Sequence, residues 1–206
     1  MIDLVPSLRL YLVADPDHCN GDLVDQTEAA IRGGVTMVQL RAKRLTDLEL
    51  FSLAQKMRSV CSRHGVPLLL NDRVDIALAV GADGVHLGVD DLPIEAARSI
   101  GGSVFVVGFS PETDDHVRTA ASRGADYLGI GPVFGTATKT DAGSALGIEQ
   151  FAHRCAIADL PVVGIGGIQS SNFRNVLEKG AAGVAVVSAI LQADDAESAA
   201  RQLSRN

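Results

Sequence analysis

Asp72 and the Asp90/Asp91 pair stand where a hard cation could be held. Residues 68–70 form a short apolar run that breaks off at Asn71, Asp72 and Arg73, and a second run at 85–88 breaks off at Asp90 and Asp91. Between them Ile76, Ala77, Leu78 and Val80 recur at helical spacing until Gly81 stops the pattern. The stretch therefore reads as a β-α-β unit. Parallel strands finish on the same side, so the Asp72 carboxylate and one from the following pair can converge. Oxygen-only ligation of that kind suits Mg²⁺. The plain alternative is helix N-capping, since each aspartate also precedes a helix.

Around these carboxylates the sequence supplies two kinds of anion recognition. Arg41, Lys43 and Lys139 follow apolar strand-like runs, and in a chain of formal net charge −7 three cations at one mouth would form a local positive island. They could face a diphosphate that also bridges a metal on Asp72 and Asp91. A solvated surface is the ordinary explanation for any one of them. Separately, the GIGG run at 164–167 leads into a helix expected to begin at Gln169 or Ser170, and VVSAI at 186–190 leads into another. Helix N-termini of this type expose backbone N–H groups that suit a phosphate monoester, although tight turns alone would also need the glycines. His86 lies inside a strand pattern and reads as a hydrogen-bonded core residue rather than a base. No Ser/His/Asp or Cys/His arrangement is readable.

Positioning those groups requires regular alternation of strands and helices. Strands are predicted at 8–14, 35–40, 68–70, 85–88, 103–108, 126–130, 161–165 and 183–187. Helices are predicted at 22–32, from the Thr46/Glu49 capping box to His64, and at 74–80, 93–100, 112–123, 148–158, 170–179 and 188–204. A turn before an apolar strand recurs as GADGVHL, GADYLGI and GAAGVAV, with GGVTMVQL a looser counterpart. Each interval is close to two βα units. Eight such units predict one α/β domain over 1–206, a (β/α)8 TIM barrel, rather than a doubly wound sheet. In a barrel, function gathers at the C-terminal ends of the strands, which is where Gln39, Asn71, Ser110, Thr136, Thr138, Gly166, Gly167 and Ser188 also fall. The Gly- and Thr-rich loop at 131–147 is long enough to be functional.

Composition removes several classes. With 206 residues, 47% hydrophobic, the chain can bury one substantial core. No run approaches the roughly 18 uncharged apolar residues of a membrane span, and the N-terminus lacks a signal-peptide pattern, so a soluble cytoplasmic protein is expected. The acidic balance argues against nucleic acid and against anionic membrane. Cys19, Cys61 and Cys155 are widely spaced and read as reduced, structural thiols. The oligomeric state is left open, a homo-oligomer included.

The stretches VQLRAK (38–43), LNDRVDIALAVGADGVHLG (70–88), GFS (108–110), DYLGIGPVFGTATK (126–139), VGIGGI (163–168) and GVAVVSAI (183–190) together resemble the thiamine-phosphate synthase family over nearly the whole chain. The resemblance implies a transferase that joins an aminopyrimidine carried as its diphosphate to a thiazole phosphate, releasing pyrophosphate. It implies that Gln39, Leu40, Arg41, Ala42, Lys43, Asn71, Ser110 and Lys139 hold the aminopyrimidine diphosphate, with Arg41, Lys43 and Lys139 stabilising the leaving group. Asp72 and Asp91 would ligate Mg²⁺. Thr136, Ala137, Thr138, Gly167, Val187 and Ser188 would hold the thiazole phosphate, on a different wall from the diphosphate. Val89 departs from the family pattern, which often has Gln there. Thiazole tautomerase has a similar barrel but needs no diphosphate and Mg²⁺ machinery. A phosphosugar isomerase would share the phosphate loops yet require an acid/base pair, and a silent ligand-binding homologue would lack the metal aspartates.

Overall fold

The computed structural model describes residues 2–136 and 144–204. Its eight strands are β1 (Leu10–Ala14), β2 (Met37–Leu40), β3 (Leu68–Asn71), β4 (Gly84–Leu87), β5 (Val106–Phe109), β6 (Tyr127–Ile130), β7 (Val162–Ile165) and β8 (Gly183–Val186). They close in sequence order into a parallel barrel, β8 pairing with β1. Around it run α1 (Leu4–Ser7), α2 (Leu23–Arg32), α3 (Asp47–His64), α4 (Val74–Ala79), α5 (Ile94–Gly101), α6 (Asp114–Arg123), α7 (Ile148–Ala156), α8 (Phe173–Glu178), α9 (Ser188–Leu191) and α10 (Ala196–Ser204). The TIM barrel predicted from the alternation is the fold observed. No helix among the described residues is long and apolar enough to cross a membrane.

Strand parity divides the core in two. Tyr11, Val13, Met37, Leu69, Val106, Tyr127, Val163 and Ala185 fill the barrel interior, whereas Leu10, Leu12, Val38, Leu40, Leu68 and Leu70 pack in the layer shared with the helices. Gly108 makes room for the Tyr127 ring, because a Cβ there would lie 2.3 Å from its hydroxyl oxygen. The recurring GAD turns have a structural cause at the opposite end of the barrel from the strand C-termini. Asp83 accepts from Leu68 N and pairs with Arg58, and Asp126 accepts from Val107 N and pairs with Arg98. Each aspartate ties the start of one strand to its neighbour, which stabilises the fold.

Several boundaries differ from the sequence expectation. The 188–204 helix is two, α9 and α10, because Asp195 accepts from Ser198 N and starts a new helix. The first turn of α6 begins at Asp114, where Thr113 accepts from His116 N at 3.1 Å. The Thr46/Glu49 capping box forms as expected. Residues 4–7, unassigned from sequence, form α1, and Ile2 and Leu4 pack against the interior cluster.

Candidate active site

The residues at the C-terminal mouth are placed by parity and by backbone ties between strands. Arg41 N donates to Ala14 O and Ser110 N donates to Leu87 O, each continuing its barrel ladder one residue past the strand. The Arg41 guanidinium is held by Asp15, whose side chain is 2% exposed and also accepts from Asp17 N. A nearly buried carboxylate thus fixes the orientation of a cation at the mouth. Leu40 and Ala42 lie in the same segment, but both side chains are buried in the helix-facing layer. Only their backbones are available to a ligand.

Asp72 is where the chain turns out of the sheet. Its N–H donates to His86 O at 3.0 Å, the next amide, Arg73 N, donates back to Asn71 O at 2.7 Å, and Asp72 itself sits at φ 62°. An L-residue in that left-handed region costs on the order of 1 kcal/mol, a strain of the kind kept at functional positions. Burial, then hydrogen bonding to the Asp91 carboxyl and repulsion from it, pushes the Asp72 carboxyl up to about 6, while Lys43 and Arg41 pull it the other way. Lys43 Nζ stands 3.7 Å from Asp72 Oδ2. Asp91 Oδ2 accepts from Gly88 N at 2.6 Å, whereas Asp90 is exposed. The carboxylate pair is therefore Asp72 and Asp91. Among the described residues no group of three or more His, Cys, Asp or Glu gathers around a common point. Two converging carboxylates suit a cation that takes its remaining oxygens from a phosphorylated ligand and water. The other nearby cation, Arg73, is committed to Asp47 and Asp75.

The opposite wall comes from the loops after β6, β7 and β8. Gly166 and Gly167 adopt φ 95° and 66°, a pair of left-handed residues open to glycine and little else. Val133 N and Phe134 N donate to Ile165 O and Gly166 O, so the loops after β6 and β7 are tied together. The expected helix start at Gln169 or Ser170 is instead a turn in which Asn172 accepts from Gln169 N and donates to Gly167 O. α8 begins only at Phe173. Val187 and Ser188 stand at the start of α9. Thr136 is described and has bonding partners; Ala137, Thr138 and Lys139 lie outside the described residues.

Inside the mouth, Gln39 donates to the Tyr11 hydroxyl at 2.8 Å, and the Tyr11 and Tyr127 hydroxyls are 2.8 Å apart. His86 bridges Tyr127 and Ser110, with 2.8 Å from Nδ1 to the Tyr127 hydroxyl and 2.8 Å from Nε2 to Ser110 Oγ. His86 is the hydrogen-bonded barrel residue its strand position suggested. Asn71 pairs in register with His86 at the end of β3, on the interior parity of Leu69. Tyr11, Tyr127 and Asp15 were missed from sequence. Their signals were a strand-end aspartate and two tyrosines at inward positions, where a buried hydroxyl needs a partner. The three cysteines are free, and burial raises all three thiols, Cys61 to about 12 and Cys155 to about 11, as structural thiols behave.

The family model described as thiamine monophosphate synthase matches residues 10–190. The chain belongs to the thiamine monophosphate synthase family. It is 47% identical over 195 residues to the thiamine-phosphate synthase of Syntrophomonas wolfei, covering 94% of this chain and 93% of that protein. It is 48% identical over 198 residues to that of Natronomonas pharaonis, covering 95% and 92%. Among solved structures it is similar to the thiamine phosphate pyrophosphorylase of Pyrococcus furiosus, with TM-score 0.89 and 36% identity over 98% of this chain and 96% of that one.

Proposed function

We propose that this transferase condenses an aminopyrimidine-methyl diphosphate with a thiazole phosphate to give thiamine phosphate and pyrophosphate. The carrying observation is the meeting of two carboxylates, Asp72 and Asp91, with Lys43 and the Asp15-held Arg41 at one barrel mouth. That combination suits a diphosphate leaving group and has no use in isomerising a thiazole alone. Asp72 and Asp91 would hold Mg²⁺, which when bound would offset negative charge on the diphosphate. Arg41 and Lys43, joined by Lys139, bind the same group and stabilise the charge that grows as the carbon–oxygen bond breaks. The thiazole nitrogen is its own nucleophile, so no general base is required. Gly167, Val187, Ser188 and Thr136 to Thr138 hold the thiazole phosphate through backbone N–H and hydroxyl donors. The reading places the enzyme in the cytoplasm.

The test is incubation with both substrates, with and without Mg²⁺, measuring thiamine phosphate and pyrophosphate. Stoichiometric release of both only with Mg²⁺ is expected. Conversion of the thiazole phosphate in the absence of the pyrimidine would favour a tautomerase instead.

A further inference from the structure

We infer that the buried chain Gln39, Tyr11, Tyr127, His86, Ser110 is a one-directional hydrogen-bond relay that presents the Ser110 hydroxyl as a donor to the aminopyrimidine, with Tyr11, Tyr127 and His86 as positioning residues. This rests on the function proposed above. The direction follows from counting hydrogens. Gln39 Nε2 can only donate, so the Tyr11 oxygen accepts. Tyr11 is 2% exposed, and among the described residues its remaining hydroxyl partner is Tyr127. Its hydrogen must go there, since a buried hydroxyl without an acceptor is costly.

The same step then repeats along the chain. Tyr127 is fully buried and accepts from Tyr11, which leaves its own hydrogen for His86 Nδ1. Nδ1 is then an acceptor, and the single proton of the neutral imidazole sits on Nε2 and is donated to Ser110 Oγ. With its oxygen accepting from His86, Ser110 has its hydrogen left to give. At the other end, Gln39 has given one N–H to Tyr11, and its carbonyl oxygen remains the acceptor of the amide. A ligand ring carrying a lone-pair nitrogen and an exocyclic amino group complements that donor and acceptor. An aminopyrimidine has both. Turning the Gln39 amide over would reverse every bond and make Ser110 donate inward to His86, so the polarity of the site depends on a residue three strands away from the serine.

The proton position can be read directly. Long-range ¹H–¹⁵N correlation on the ligand-free ¹⁵N-labelled protein reports the tautomer of each of the five histidines, and loss of one pattern in His86→Gln assigns His86. The Nε2–H tautomer is expected; the Nδ1–H tautomer overturns the relay. Because no substrate is present, this result stands apart from whether thiamine phosphate is made. The second arm is Tyr127→Phe, which keeps the ring in its notch at Gly108. It should leave the Nε2–H of His86 on Ser110, shift the Nδ1 nitrogen resonance downfield as an acceptor that has lost its donor does, and lower kcat/KM for the pyrimidine diphosphate about tenfold, the size of one lost buried hydrogen bond, with KM for the thiazole phosphate unchanged. A wild-type Nδ1 shift and wild-type kinetics in Tyr127→Phe would refute the assignment.

Discussion

Asp72→Asn should make the metal-free protein more stable at neutral pH while destroying its response to Mg²⁺. The Asp72 carboxyl is raised from 3.8 to about 6 in the folded state by burial and by Asp91. A group whose folded value lies above its unfolded one favours the native state fully below the unfolded value and loses that contribution as pH rises through the folded one. Wild type should therefore lose stability from this group between about pH 4 and pH 6, and an asparagine, which cannot ionise, should not. Two pKa units correspond to about 3 kcal/mol if nothing screens the charge. The side chain is 26% exposed and Lys43 lies 3.7 Å away, so about 1 kcal/mol is the realistic share, or roughly 2–4 °C in Tm for a chain of this length. Calorimetry in EDTA at a series of pH values reads the variant against wild type, and titrations common to both cancel. Asparagine also tolerates the left-handed φ well, but that gain is the same at every pH. Mg²⁺ should then raise the wild-type Tm and leave the variant unmoved. A Tm difference that stays constant from pH 4 to pH 7 would refute the reasoning.

Asp91→Ala should abolish Mg²⁺-dependent turnover while Asp90→Ala remains near wild type, as Mg²⁺ titration of each variant would show; the reverse order would exchange their roles. Lys139→Ala should lower kcat/KM by a factor on the order of 10² to 10³ if its contact strengthens as charge develops on the leaving group, read by steady-state assay. Gly167→Val should impair both substrates rather than the thiazole phosphate alone. Its Cβ would lie 2.5 Å from Gly135 O and 2.8 Å from Phe134 Cβ, displacing the loop that leads to Lys139. Separate calorimetric titrations with each substrate would show whether that coupling exists.

The barrel was legible because its signals are local and repeated. Apolar runs, glycine stops and the GAD turns each restate the same βα unit, and the aspartates of those turns fix neighbouring strands together. Boundaries were less legible where a side-chain cap competes with helical periodicity. Thr113 and Asp195 each delay or restart a helix by accepting a backbone N–H, and Asn172 holds a turn where a helix was expected. Such caps are decided by geometry that residue type alone does not specify. The helix α1 carries too few residues to show periodicity, and its reason for forming is tertiary, the apolar end of the barrel beneath it.

The candidate site was legible where strands end in charge and hidden where function is carried inward. Asp72 and Asp91 stand out as polar breaks after apolar runs, whereas the left-handed turn that aims Asp72 shows only in the structure. Within the segment from Gln39 to Lys43 parity divides the residues: Gln39 and Arg41 are set toward the mouth, while the side chains of Leu40 and Ala42 fill the helix-facing layer. The same alternation points Tyr11 and Tyr127 into the barrel, where they read as core until the hydroxyls are asked for partners. Each then leads to the next, from Gln39 to Ser110, and in the proposed relay residues that never reach the mouth set what the mouth can donate. Asp15 acts in the same way on Arg41. In this barrel the groups proposed to meet substrate are recognisable by position, and the groups that orient them are recognisable only by following hydrogens one bond further in.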